Sequence, residues 1–281
     1  MTPTKIEKYQ NKTFRLDKPL NTKEDAVKFV NQRGFVFFWP LTGTRFPSLW
    51  AAKAGDRPVP NNHDDPGHAT WGWKDSLLDK RVWHYGKILS TRNTIISLEL
   101  LPYFYALSPN YGEPEQDYQL QYEQGTFTQE AKSIYEAILE HGALDRIALQ
   151  KEAKLASSEN KARFERALNL LQAEFKLMPI RIAEVGAYNY AYVYEAVHRY
   201  YPKLIAEAGV ISEADARNRI LRSYFLSLGA STEKLIKKFF KWTPQQTEKS
   251  INRLESQGFL KRGVTLPGSS ELQIVLSELA K

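Results

Sequence analysis

Cysteine is absent from this 281-residue chain. Disulfides, thiolate nucleophiles and cysteine-ligated zinc or iron–sulfur centres are excluded with it. No apolar run approaches the roughly 18 residues that a membrane-spanning helix needs. The opening "MTPTKIEKYQNKTFRLDKPL" carries charges where a secretion signal would place an apolar stretch. A cytoplasmic protein with no membrane partner is therefore expected. The sequence also lacks a P-loop, a dinucleotide-binding glycine pattern and a Gly-x-Ser-x-Gly elbow. Between residues 101 and 127 there is no Lys or Arg, only four acids.

Hydrophobic residues make up 42% of the chain, enough for a sizeable core and too many for wholesale disorder. The length allows one large or two to three small domains. Net charge is +7, with a pI near 9.3. Residues 1–100 carry 16 Lys and Arg against 10 Asp and Glu, and residues 212–281 carry 12 against 7. Residues 128–211 balance at 11 of each sign. A basic surplus at both ends suits a clamp on a polyanion such as a DNA duplex. A solvated surface is the alternative reading of the same charge.

An internal repeat is the clearest organising signal. "AKSIYEAILEHGALDRIALQKEAKL" (131–155) lies over "NRILRSYFLSLGASTEKLIKKFFKW" (218–242) at an offset of 87. Gly142 falls on Gly229, Ile134 on Leu221, Ile138 on Phe225 and Leu149 on Ile236. Each copy reads as an amphipathic helix, a glycine stop and a second helix. A third helix follows each, over 157–172 and over 243–257, where Thr243 caps and Pro244 takes the first helical position. Extended segments come next, 175–195 and 259–276, with turns at Val185-Gly186-Ala187 and Pro267-Gly268-Ser269-Ser270.

Three helices and a β-hairpin are the pattern of a winged helix, a helix-turn-helix variant whose third helix enters the major groove. The expected fold class is α+β, mainly helical, with tandem winged-helix units and small β-wings. The expected domains are 1–127, an N-terminal winged-helix-like unit with an aromatic segment and linker, then 128–210 and 211–281. Winged helices can also act as protein-binding scaffolds, and that alternative stays open here.

The N-terminal region fits the repeat less well. "TKEDAVKFVNQRG" (22–34) reads as a helix with Ala26, Val27, Phe29 and Val30 on one face and Gly34 as its stop. "FVFFWP" (35–40) follows, then a Pro/Gly/Asn/Asp loop over 55–68 and an aromatic-rich stretch over 71–107. The acidic "SPNYGEPEQDY" (108–118) reads as a link to the first repeat.

The blocks "GFVFFWPLTGTRFPSLW", "RVWHYGKILS", "ISLELLPYF", "LNLLQAEFKLMPI" and "YEAVHRYYP" resemble the AlkZ/YcaQ family of winged-helix DNA glycosylases that unhook interstrand crosslinks, and most closely its AlkZ-related branch. The resemblance spans most of residues 22–242. It implies three winged-helix units around duplex DNA and excision of alkylated purines without a metal or other cofactor. It also places a Gln-x-Gln or Gln-x-Asp catalytic motif just after the first helix, at positions held here by Phe37 and Trp39. Neither side chain can activate a water or offset a developing sugar cation. The aromatic run is then either a buried strand or a wall on which an unpaired base stacks, joined in either case by Trp50, Trp71, Trp73, Trp83 and Tyr85.

A replacement acid has few candidates. Asp75, in "WGWKDSLL", lies among aromatics and is the candidate catalytic carboxylate; its alternative is a cap before "SLLDKRVW". Glu99 is expected to pair with Arg92 or Lys87. "HDDPGH" (63–68) could hold a metal, but it reads as a solvated loop. His198 reads as a packed or hydrogen-bonded histidine. The expected DNA contacts are Lys161, Arg163 and Arg166 on one third helix and Gln245, Gln246, Lys249 and Arg253 on the other. Lys261 and Arg262 begin the last hairpin. Gln and Arg can reach base edges, and Lys suits phosphate. The expected partner is double-stranded DNA, damaged or undamaged, bound by a monomer. An active glycosylase using a rearranged acid and a transcriptional regulator are the alternatives.

Overall fold

The computed structural model describes residues 4–43, 45–110, 112–186, 188–266 and 271–280. The chain divides into two compact units. One comprises residues 1–73, 95–100 and 213–281, and the other residues 74–94 and 101–212. Helices dominate both, with short antiparallel sheets, so the fold is α+β. Among the described residues no helix is long and apolar enough to cross a membrane.

The second unit carries the first repeat. Helix Gln129–His141 starts where the Thr128 hydroxyl accepts from the Ala131 N–H, and it stops at Gly142. The strand Leu144–Asp145 follows, and the Asp145 carboxylate caps helix Arg146–Glu152 by accepting from the Ile147 and Ala148 N–H groups. A 3-10 turn, Ser158–Asn160, leads into helix Lys161–Ala173. Strands Leu177–Ala183 and Ala191–Ala196 then pair antiparallel, and Leu144–Asp145 adds to the outer edge of the second. Ile134, Ile138, Leu149, Phe164, Leu168 and Leu171 bury the i, i+3, i+4 faces of all three helices in one cluster, closed by Leu177 and Tyr194 of the hairpin.

Residues 108–118 are more than a link. Helix Pro114–Glu123 begins inside them, with Pro114 at its first position and Glu115 and Asp117 in its first turn. Tyr118 is buried, and the Tyr135 hydroxyl donates to the Pro114 carbonyl at 3.0 Å. The acidic stretch favours this helix start because its charges lie where the backbone N–H groups are unpaired.

The first unit carries the second repeat with the same order. Helix Glu213–Leu228 is followed by strand Ala230–Ser231, helix Glu233–Phe240, helix Pro244–Ser256 and strands Leu260–Val264 and Gln273–Leu276. The two-residue strand again pairs with the second hairpin strand, Ala230 opposite Val275. Thr243 and Gln246 form a full capping box, each side chain accepting from the other residue's backbone N–H. Gly229 ends the first helix at φ +76°, and a β-carbon there would lie 2.8 Å from Leu279 Cδ1 and 2.9 Å from Tyr9 Cδ1. Both the conformation and the space require glycine. Of the expected hairpin turns, Val185 and Gly186 are described; Ala187 and Pro267–Ser270 lie outside the described residues.

The N-terminal helix, Lys5–Thr13, has a structural task. Tyr9 Oη and Gln10 Nε2 donate to the Leu226 and Leu228 carbonyls at 2.9 Å each, and Thr13 Oγ1 donates to the Ser227 carbonyl at 2.7 Å. Arg33 adds a bond to the Leu226 carbonyl at 2.7 Å. The orphan carbonyls ending helix Glu213–Leu228 are thus satisfied from more than 190 residues away in sequence. Helix Lys23–Arg33 ends at Gly34, whose carbonyl accepts from the Ser97 N–H at 2.8 Å.

Candidate nucleic-acid interface

The positions of the two aromatics set the chemistry available after helix Lys23–Arg33. Strand Phe35–Phe37 continues into Phe38, and all four residues are buried. Phe37, 2% exposed, meets Phe46 at 5.6 Å and Phe239 at 5.7 Å between ring centroids. Phe35 stacks on Phe46 at 4.9 Å, and Tyr224 and Phe239 complete the packing. The Phe37 side chain has no polar group and its ring is sealed in the core, so it can neither hold a water nor stack a base.

Trp39 differs. It is half-buried, edge-on to Phe38 at 4.7 Å, to Trp71 at 5.7 Å and to His68 at 5.9 Å. Behind it, Trp50 is fully buried in helix Leu49–Ala54, with the Arg57 guanidinium 4.9 Å from its ring centre. A cleft of about 450 Å³ opens beside Pro40, Leu41, Arg45 and Phe46.

"HDDPGH" is tied into this arrangement. The Asp65 carboxylate accepts from Arg57 Nη2 at 2.7 and 2.9 Å and from the Gly67 N–H at 2.8 Å. The Arg57 hydrogen bond, aided by Gly67, holds that carboxyl below the usual carboxylate range. His63 lies near-parallel to Trp71, at 6.3 Å and 14°. Among the described residues no three His, Asp or Glu side chains converge as metal ligands.

Asp75 lies near the end of helix Ala69–Leu77, so it does not cap the segment that follows. Its carboxylate is 2.6 Å from Lys74 Nζ and accepts from the Tyr190 hydroxyl at 3.0 Å on each oxygen. Its side chain is 22% exposed, whereas that of Lys74 is 0% exposed. Lys74 Nζ also donates to the hydroxyls of Tyr192 and Tyr190, and lies 5.2 Å from the Tyr85 ring centre. Burial lowers the Lys74 pKa, partly offset by Asp75, and burial raises those of Tyr85, Tyr190 and Tyr192. Lys74, Tyr190 and Tyr192 were not singled out in the sequence. Their signal is the adjacent "KD" and the tyrosines spaced by two in "YNYAYVY", of which Tyr192 and Tyr194 share one face of strand Ala191–Ala196 while Tyr190 immediately precedes it.

The other expected residues divide by what already holds them. Lys161, Arg163 and Arg166 are exposed on helix Lys161–Ala173, with Arg163 3.8 Å from Glu130. On helix Pro244–Ser256, Gln245 and Lys249 are exposed, whereas Gln246 is engaged in the capping box. Arg253 pairs with Asp215 at 2.6 Å. Arg262 folds back on Glu255 at 3.1 Å and on Asn252, whereas Lys261 is exposed. Glu99 pairs with Arg219, not with Arg92 or Lys87, because residues 95–100 pack with helix Glu213–Leu228 in the same unit. His198 Nε2 is 3.4 Å from Glu115, and burial lowers its pKa.

The family model described as AlkZ related matches residues 20–241. The chain belongs to the AlkZ-related family. Among solved structures, this AlkZ-related chain is similar to the Streptomyces sahachiroi DNA glycosylase AlkZ, with a TM-score of 0.58 and 12% identity. The match covers 100% of this chain and 71% of that one, and at this identity it speaks for the fold. No curated protein matches the chain in sequence.

Proposed function

We propose that this AlkZ-related protein binds double-stranded DNA through winged-helix units and has no catalytic acid at the family's motif position. The carrying observation is the repeated order of helix, short strand, helix, helix and hairpin, with the short strand paired to the second hairpin strand in both copies. That order supports a winged-helix reading, in which the third helix is suited to the major groove. The third helices and hairpins offer Lys161, Arg166, Gln245, Lys249 and Lys261, none in an ion pair among the described residues. Arg163, Gln246, Arg253 and Arg262 would first have to leave the partners just described. In this reading, residues 1–127, 128–210 and 211–281 are the three DNA-facing segments of a monomer.

The S. sahachiroi relative is by its title a DNA glycosylase. For this chain Phe37 is sealed in core and Trp39 offers only an indole N–H, so neither supplies a base or a charge at those positions. One observation favours a second reading, in which excision is retained. The Asp75 carboxylate keeps a solvent edge while Lys74 and Tyr190 fix its orientation. A carboxylate so held could stabilise an oxocarbenium ion. A regulator of transcription would typically bind a palindrome as a dimer.

Undamaged, alkylated and crosslinked duplexes, each assayed for binding and for released base, separate these readings. The expected result is binding of all three with no multiple-turnover release of alkylpurine. Release by the wild-type protein that is abolished in Asp75→Asn would establish the second reading. Failure to bind any duplex would refute the first.

A further inference from the structure

One group of aromatic rings in the first unit centres on an exposed tryptophan. Trp71, in the first turn of helix Ala69–Leu77, keeps 38% of its surface in solvent. Trp39 meets it edge-on at 5.7 Å and 82°, and His68 packs on it at 6.0 Å. His63, itself exposed, lies near-parallel to it at 14°. A single exposed tryptophan is ordinary surface. Here two neighbouring exposed rings, Trp71 and His63, are backed by the half-buried Trp39 and His68, which fixes the plane of Trp71.

The charge of the unit that carries it selects the occupant. The unit as a whole carries 23 Lys and Arg against 15 Asp and Glu, a net +8. An exposed flat π-surface in a cationic field matches a planar ring attached to a phosphate chain. It does not match an aliphatic or acidic-peptide partner, for which a braced ring plane has no use.

We propose that Trp71, flanked by His63 and braced by Trp39 and His68, is a stacking platform for an unpaired nucleobase in a DNA strand. The inference rests on the DNA-binding reading and adds to it a preference for DNA in which one base is out of its pair. Phe37, Trp50 and Trp83 take no part, since each is buried. Such a platform reads no sequence, because every base has a π-face. Its preference is for the unpaired state, where no stacking with neighbours has to be broken.

Two duplexes test this, identical except that one carries a single unpaired 2-aminopurine. Wild-type protein is expected to bind the second about tenfold more tightly, equivalent to about 1.4 kcal/mol, and to quench its fluorescence. Trp71→Ala should abolish both the preference and the quenching while keeping the affinity for the paired duplex. Trp71→Phe should keep most of each. Equal wild-type affinity for the two duplexes would overturn the platform and leave duplex binding standing. A preference that survives Trp71→Ala, or an equal loss on both duplexes, would overturn the role of Trp71. Binding of neither duplex would fail the DNA-binding reading, and this inference with it. Trp71 is exposed, so far-UV circular dichroism should show the Ala variant folded. The wild-type comparison and Trp71→Phe decide the matter if it is not.

Discussion

Two aromatic residues two positions apart, Phe37 and Trp39, have different physical roles. Phe37 points into a cluster of Phe35, Phe46 and Phe239, whereas Trp39 stands at the rim. Phe37→Ala should therefore cost about 3–5 kcal/mol, the usual range for a buried aromatic, and Trp39→Ala clearly less. Denaturant unfolding of both variants checks the order. Their difference was not legible in the sequence, where "FVFFWP" reads as one apolar run; strand alternation ends at Phe37, and the turn before Pro40 re-aims Trp39. His84 is a second residue the sequence did not mark. It is fully buried against Phe175 and Tyr201, and neither ring nitrogen has a hydrogen-bond partner among the described residues. Burial pushes its pKa from 6.5 down to about 3. The unfolded chain binds a proton that the folded one refuses, so this stability is intact above pH 6.5 and is lost as pH falls toward 3. His84→Leu should keep stability at neutral pH and flatten its fall in acid, read as the urea midpoint against pH; an unchanged acid profile would remove His84 from that account.

At the scale of elements, local chemistry was the legible part. The stops at Gly142 and Gly229, the Thr243 cap with Pro244, and the hairpin after each third helix could all be read from short-range pattern. Helix Lys5–Thr13 could not be, because its task is to satisfy carbonyls of a helix that begins at Glu213. The ties on Arg253 and Arg262 were equally hidden: both looked like free cations on a helix flank and a strand. They alter the choice of contact residues. Lys249→Ala with Lys261→Ala should weaken duplex binding several-fold more than Lys161→Ala with Arg166→Ala, since the first pair lies in the unit with the positive surplus. Equal or reversed losses in folded variants, measured by fluorescence anisotropy, would put the main contact surface on the other unit.

For the molecule as a whole, charge is the most direct guide. The sequence shows a surplus at both ends, and folding collects nearly all of it. The unit built from residues 1–73, 95–100 and 213–281 carries +8, while the other carries 16 Lys and Arg against 17 Asp and Glu, a net −1. The chain's two basic ends are thus one basic body, joined by contacts such as Tyr9 and Gln10 with the end of helix Glu213–Leu228. A polyanion bound by such a body releases counterions as it binds, and log K then falls linearly with log salt by about 0.9 for each phosphate neutralised on duplex DNA. The most direct test is therefore the affinity for an undamaged duplex titrated from low to moderate salt. Measurable binding at low salt is expected, with a slope of several phosphate contacts, reduced by about one for each of Lys249→Ala and Lys261→Ala. Absent binding at low salt, or an affinity that does not change with salt, would contradict the DNA-binding reading.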